Sequence, residues 1–339
     1  MRWSGQKIGN DDANALPGLE QTSAIAGLLR VVETPEFAGV RFHEVLAKSA
    51  LSRVPESSAM PFRWTINPYR GCTHACVYCF ARPSHAWLDL DTGEGFDRDI
   101  VVKVNVVEML SRELAKATWR REVVALGTNT DPYQRAEGRY QLMPGILRAL
   151  VERGTPASIL TKGTLVRRDL PLIAQLSKDV PISLAMSIAI HDETVAASSE
   201  PGAPTAAARL DTVRAAADLG LDVEVFIMPV LPYLTDTRAH LHRAAAAVRA
   251  AGAGSAVFST LHLRPGVKGW FLDWLGREHP QLVARYEAMY CESAYAPRDY
   301  RDWLAAKAVP ILRSHGRRGG GAPAEQPIPR ARVAVGSFR

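Results

Sequence analysis

The chain has 339 residues and a formal net charge of +6, with 47% apolar and 22% charged side chains. That composition suits a globular protein with room for one barrel-sized domain and its extensions. It contains no stretch near the roughly 20 unbroken apolar residues of a membrane helix, and Met1-Arg2-Trp3-Ser4-Gly5-Gln6-Lys7 leads into polar sequence rather than an apolar leader, so the expected location is cytoplasmic.

The excess charge does not mark a nucleic-acid face on the body. Residues 316–339 carry five arginines against Glu325, so four of the six excess charges lie in that tail. Residues 1–60 read as an N-terminal extension of irregular and short helical pieces. Within it 42–51 has helical spacing, and Pro55 and Pro61 close the segment. Strands and helices then alternate. A strand over 62–66 leads into a cysteine-bearing loop and a helix near 106–116. Strand 123–126 precedes helix 142–153, and strand 158–161 precedes a helix near 169–177. Strand 182–188 is followed by an Ala-rich helix over 205–219, ended by Gly220. Strand 223–228 precedes helix 238–251, stopped by Gly252, and 256–263 is the sixth strand.

Six βα units predict an α/β fold with a parallel sheet, helices outside, and working loops at the C-terminal strand ends. Periodicity alone does not separate a closed barrel from an open sheet. Residues 61–265 form this core; 266–315 are helical and aromatic, a cap on the core. Residues 316–339 are Gly/Pro/Arg-rich and read as a disordered tail.

Four cysteines in such a chain are not a disulfide framework. Three fall in Gly71-Cys72-Thr73-His74-Ala75-Cys76-Val77-Tyr78-Cys79-Phe80, a C-x3-C-x2-C spacing, while Cys291 stands alone. Thiolates suit zinc, copper(I) or iron–sulfur clusters. Structural zinc takes four closed ligands, usually as two separated pairs. No second pair follows, and His74 or His85 would have to complete the site. On that alternative the chain is a zinc- or cluster-bearing nucleic-acid-binding module without turnover. Three thiolates on a four-iron cluster instead leave one iron without a protein ligand, unlike ferredoxin runs. An open iron can be chelated by the amino and carboxylate groups of S-adenosylmethionine, whose reductive cleavage yields a 5′-deoxyadenosyl radical.

This spacing, with Tyr78 before the last cysteine, resembles the radical S-adenosylmethionine (radical SAM) superfamily. The longer string Asn67-Pro68-Tyr69-Arg70-Gly71 through Phe80-Ala81-Arg82-Pro83 is similar to its spore photoproduct lyase-like branch, often labelled DNA repair photolyase. The resemblance implies a partial (β/α)6 TIM-type barrel and a [4Fe-4S] cluster on Cys72, Cys76 and Cys79. It also implies S-adenosylmethionine as cofactor and a one-electron donor of flavodoxin or ferredoxin type. In Gly127-Thr128-Asn129-Thr130-Asp131 it places the contacts of the methionine amino group, with Thr130 and Asp131 foremost. Lys162 would pair with the methionine carboxylate, Ser187 would meet the ribose, Arg209 the carboxylate or ribose, and Tyr78 the adenine. Read from the residues alone, the Gly, Asn, Asp and Pro of 127–132 are turn formers at a strand end.

Two positions depart from the spore photoproduct lyase pattern. That family has a hydrogen-donating cysteine directly before its Ser/Thr-Asp pair and a tyrosine directly after the third cluster cysteine. Here those places hold Asn129 and Phe80, neither of which readily gives up a hydrogen atom. Thymine photoproduct repair by that relay is therefore not expected. Cys291 is the candidate replacement donor. Tyr133, Arg135 and Glu137 are candidates for facing the substrate. His191, His262 and Arg264 are candidates at later strand ends. Nucleic acid remains open as a substrate through family analogy alone.

Overall fold

Among the described residues the strands form two sheets. The computed structural model describes residues 25–58, 60–314 and 334–337. Its first strands are β1 (Leu28–Val32), β2 (Arg41–Val45), β3 (Leu51–Arg53), β4 (Trp64–Ile66), β5 (Tyr69–Arg70) and β6 (Asp99–Lys103). A four-stranded sheet has the order β1-β2-β6-β5, with β2 and β6 parallel and the two outer pairs antiparallel. This sheet corrects the helical expectation for 42–51. Phe42, His43, Glu44 and Val45 are all buried, so both faces of β2 are covered. His43 Nε2 lies 2.9 Å from Asp99 Oδ1 on β6, and Glu44 accepts from Arg30 Nε at 2.7 Å.

The remaining strands are β7 (Val124–Leu126), β8 (Ala157–Thr161), β9 (Ile182–Ser187), β10 (Val223–Val230), β11 (Ser255–Thr260) and β12 (Ala334–Ser337). The second sheet runs β3-β4-β7-β8-β9-β10-β11-β12. β4 and β7 to β11 are the six predicted parallel strands, in sequence order. β3 and β12 add antiparallel edges, giving a mixed α/β partial barrel. Of the tail expected to be disordered, 316–333 and 338–339 lie outside the described residues. Ala334–Ser337 are instead a strand paired with β11.

The helices are α1 (Glu94–Arg98), α2 (Val106–Leu114), α3 (Arg135–Tyr140), α4 (Leu142–Glu152), α5 (Val166–Leu176) and α6 (Glu193–Ser199). They continue as α7 (Ala206–Asp218), α8 (Arg238–Ala250), α9 (Lys268–Glu278), α10 (Val283–Met289) and α11 (Arg298–Ser314). Local chemistry sets their ends. The hydroxyls of Thr205 and Thr237 cap α7 and α8 by accepting the amides of Ala208 and His240. Ile146, Ile173, Val213 and Leu241 of the outer helices bury against Val124, Ile159, Leu184 and Val225 of the sheet. A second core joins Cys76, Val77 and Tyr78 to Leu231, Leu261 and Leu263 at strand ends and to Phe271, Trp274, Tyr286 and Tyr290 of the C-terminal helices. Tyrosine hydroxyls fasten that region down: Tyr286 donates to Pro232 O at 2.6 Å and Tyr290 to Leu261 O at 2.9 Å. Among the described residues no helix is long and apolar enough to cross a membrane.

Candidate active site

Cys72, Cys76 and Cys79 are free thiols on the loop after β5, the first two buried and the third partly so. Burial pushes all three thiols up, so as thiolates they need a bound cation beside them. Among the described residues no three His, Cys, Asp or Glu side chains converge as ligands of one ion do. A four-iron cube does not require convergence, because each thiolate takes a different iron. The donor set, three thiols in a dry loop, thus fits a cluster. His85 does not turn to the thiols: its Nε2 meets the Asp99 carbonyl at 2.9 Å.

The loop is braced on three sides. From the β7 end, Gln134 is fully buried; its Oε1 accepts from Thr73 N at 2.9 Å and its Nε2 donates to Gly71 O at 3.0 Å. Thr130 donates its hydroxyl to the same Gly71 carbonyl at 2.6 Å. On the far side, Arg82 is fully buried. It donates to Cys76 O at 3.1 Å and Gly93 O at 2.7 Å, and pairs with both Asp97 oxygens at 2.9 Å. From the end of α6 and the segment after it, Val77 N donates to Ser199 O at 3.0 Å and Gly202 N donates to His74 O at 3.1 Å. A Cβ at Gly202 would collide with the Thr73 carbonyl oxygen.

The expected cofactor residues gather at the ends of β7, β8 and β9. Gly127 has φ +89°, and a Cβ there would strike the Leu160 carbonyl, so the close approach of β7 and β8 requires glycine. Asp131 ties these ends together. Its carboxylate accepts from Tyr133 N at 2.8 Å, Thr161 Oγ1 at 2.6 Å and Lys162 N at 2.6 Å, and faces His74 Nδ1 at 3.4 Å. Burial alone would raise its pKa, but His74 and these donors outweigh it and hold the carboxyl below its usual range.

Lys162 donates through Nζ to Ser187 Oγ and Glu200 Oε1, both at 2.9 Å. Arg209 donates to Ser187 O at 2.9 Å and to the other Glu200 oxygen. Tyr78 completes the group, donating its hydroxyl to Glu200. Tyr78, Lys162, Ser187 and Arg209, four of the expected cofactor contacts, therefore share one network centred on Glu200. The sequence reading missed Glu200, Gln134 and Arg82. The one available signal for Glu200 was an acidic residue nine positions before Arg209 in a Pro/Gly loop.

The expected substrate-facing group divides. Tyr133 is 1% exposed and belongs to the main core. Glu137, also fully buried, accepts from Tyr69 OH at 2.5 Å and from Leu142 N at the start of α4 at 3.0 Å. Arg135 turns to Phe37 and Glu36 O. None of the three faces the loop, because the turn after Asp131 sends them into the packing of α3. The end of β11 does face it. Arg264 lies 5.5 Å over the ring of Phe80, and His262 stacks on Tyr295 at 4.0 Å. Cys291 is exposed, on a stretch bonded to the same strand end through Tyr290 OH and through Leu263 N to Ala294 O. His191 is largely buried beside Arg209, with Nε2 unpartnered.

The sequence pattern that defines the Radical SAM superfamily matches residues 66–245. The chain is 50% identical over 339 residues to an uncharacterized protein of Mycobacterium tuberculosis (strain ATCC 25618 / H37Rv), covering 99% of this chain and 98% of the relative. An uncharacterized protein of Methanocaldococcus jannaschii is 28% identical over 174 residues, 51% of this chain and 62% of that protein. A solved spore photoproduct lyase mutant with dinucleoside spore photoproduct superimposes with a TM-score of 0.56 at 12% identity, covering 81% of this chain and 79% of that one. Another, with bound AdoMet and the same dinucleoside, gives 0.56 at 12% identity, covering 81% and 78%. At such identity the likeness is one of fold.

Proposed function

The chain belongs to the radical SAM superfamily, and on that premise we propose that it reductively cleaves S-adenosylmethionine to 5′-deoxyadenosine on a [4Fe-4S] cluster held by Cys72, Cys76 and Cys79. The observation that carries this reading is the bracing of one three-thiol loop by Gln134 and Thr130 from the end of β7, with Lys162 at the end of β8 reaching the loop at Tyr78 OH. When bound, the reduced cluster and S-adenosylmethionine supply a carbon-centred radical that takes a hydrogen atom from substrate. The chain's own residues hold and shield. Gln134 and Arg82 fix the loop, Asp131 and Thr130 order the amino-group side, and Lys162, Ser187 and Arg209 order the carboxylate and ribose side. Reduction needs a one-electron donor, for which a flavodoxin or ferredoxin is the proposed type.

We place substrate at the end of β11, between Phe80–Arg264 and His262–Tyr295, with Cys291 as the nearest free thiol in sequence to that end. The backbone N–H of Asn129 donates to Asn67 Oδ1 at 3.0 Å, its side chain ends in a carboxamide, and Phe80 carries no hydroxyl. Neither can relay a hydrogen atom, which supports a reaction other than thymine photoproduct repair. Metal content tests the reading first. Anaerobically purified and reconstituted protein is expected to carry about four irons and four acid-labile sulfides per chain, as one such cluster requires. Stoichiometric zinc without iron would replace it with a zinc module.

A further inference from the structure

Glu200 is 3% exposed and sits on the segment that clasps the cysteine loop. Its two oxygens are divided between Lys162 and Arg209, with Tyr78 on the Lys162 side. Burial would raise its pKa, yet Lys162 and Arg209 outweigh that and hold the carboxylate far below its usual range. The strand-end group then contains two cations, Lys162 and Arg209, and two carboxylates, Asp131 and Glu200. Glu200 offsets one of the two cations there, and the charge of the cysteine loop is common to the parent and its Glu200 variants.

We propose that Glu200 is a specificity-determining residue that adjusts the charge of this site to a ligand bearing a sulfonium. The proposal rests on the functional reading above and deepens it. S-Adenosylmethionine carries an ammonium, a carboxylate and a sulfonium, for a net charge of +1. S-Adenosylhomocysteine has nearly the same shape, but its neutral thioether leaves it with no net charge. Without Glu200 the site would present one uncompensated cation to the first ligand and the same cation to an uncharged competitor. In a partly dry site a like charge about 10 Å away costs about tenfold in affinity. A purely structural role for Glu200 would weaken both ligands alike, because they share every group except the sulfonium charge.

The test is equilibrium dialysis of both ligands against reconstituted, oxidised protein without reductant, so that no turnover intervenes. For Glu200→Gln the ratio of S-adenosylmethionine to S-adenosylhomocysteine affinity is expected to fall about tenfold. For Glu200→Asp, which keeps the charge on a shorter arm, both affinities are expected to drop while the ratio stays at the parent value. Lys162→Gln is the reciprocal variant and does not depend on Glu200 being replaceable. Removing a cation is expected to shift the ratio toward S-adenosylmethionine whatever happens to the two absolute affinities. Equal weakening of both ligands by Glu200→Gln, or an unchanged ratio in Lys162→Gln, would overturn the proposal and leave the functional reading intact. A parent protein that holds iron but binds neither ligand would overturn both.

Discussion

Gln134 accepts the backbone amide of Thr73 at 2.9 Å while it donates to the Gly71 carbonyl on the other side of Cys72. One neutral side chain thus fixes the backbone on both flanks of the first cysteine. Replacing it by alanine leaves a buried donor and weakens a buried acceptor, at a cost of about 1–3 kcal/mol. Urea unfolding of Gln134→Ala is expected to show that loss together with reduced iron after reconstitution. Parent-like iron content would show that the loop holds its shape without this brace.

Gly202→Ala is expected to be more damaging than its size suggests. The new methyl would meet the Thr73 carbonyl, a backbone group that cannot move aside cheaply, so about 1–3 kcal/mol of overpacking strain is expected. Gly269, near the start of α9, has open space around it. Gly269→Ala should be neutral or stabilising by about 0.5–1 kcal/mol. Thermal unfolding of the pair separates a steric requirement from a general preference for glycine.

The Arg82–Asp97 pair offers a third check. Burial, opposed by Arg82, pushes Asp97 up to about 6, so the carboxylate depends on its partner. Arg82→Met is expected to cost about 3–5 kcal/mol, because it strands a buried charge. Adding Asp97→Asn should recover part of that loss in urea unfolding. No recovery would trace the cost to the lost bonds at Cys76 O and Gly93 O instead.

His191 gives a pH dependence with a definite sign. Burial, helped by the nearby Arg209, lowers its pKa from 6.5 to about 4. The unfolded chain therefore takes the proton first as pH falls. The contribution is fully present above pH 6.5, declines below it and is gone by pH 4. It should amount to about 2 kcal/mol between pH 7 and pH 5. His191→Gln is expected to flatten that part of the stability curve, read as urea midpoints at the two pH values. At neutral pH the ring is uncharged, which makes it a poor proton donor there.

The six parallel strands were legible in the sequence because each is a local event, an apolar run followed after a loop by a helical stretch, several of them closed by a Thr or Gly such as Thr205, Gly220, Thr237 and Gly252. The four-stranded sheet was not. Phe42, Val45 and Leu46 repeat at helical spacing, and what makes 41–45 a strand is its pairing with Asp99–Lys103, far along the chain. The same distinction runs through the site. The expectation for Cys72, Cys76 and Cys79 rests on spacing, and that for Lys162 and Ser187 on their place at strand ends. Glu200 has no such mark, since its meaning comes from Lys162, 38 residues away, and from Tyr78, 122 residues away. Tyr133 and Glu137 show the converse: they follow Asp131 closely in sequence, yet they turn into the core.

The central claim is that this loop supports reductive cleavage of S-adenosylmethionine. The direct measurement is release of 5′-deoxyadenosine by anaerobically reconstituted, dithionite-reduced protein, beside a variant carrying Cys72→Ala, Cys76→Ala and Cys79→Ala. Product from the parent and none from the variant is the predicted result. An iron-loaded parent that releases no more 5′-deoxyadenosine than the triple variant would contradict it.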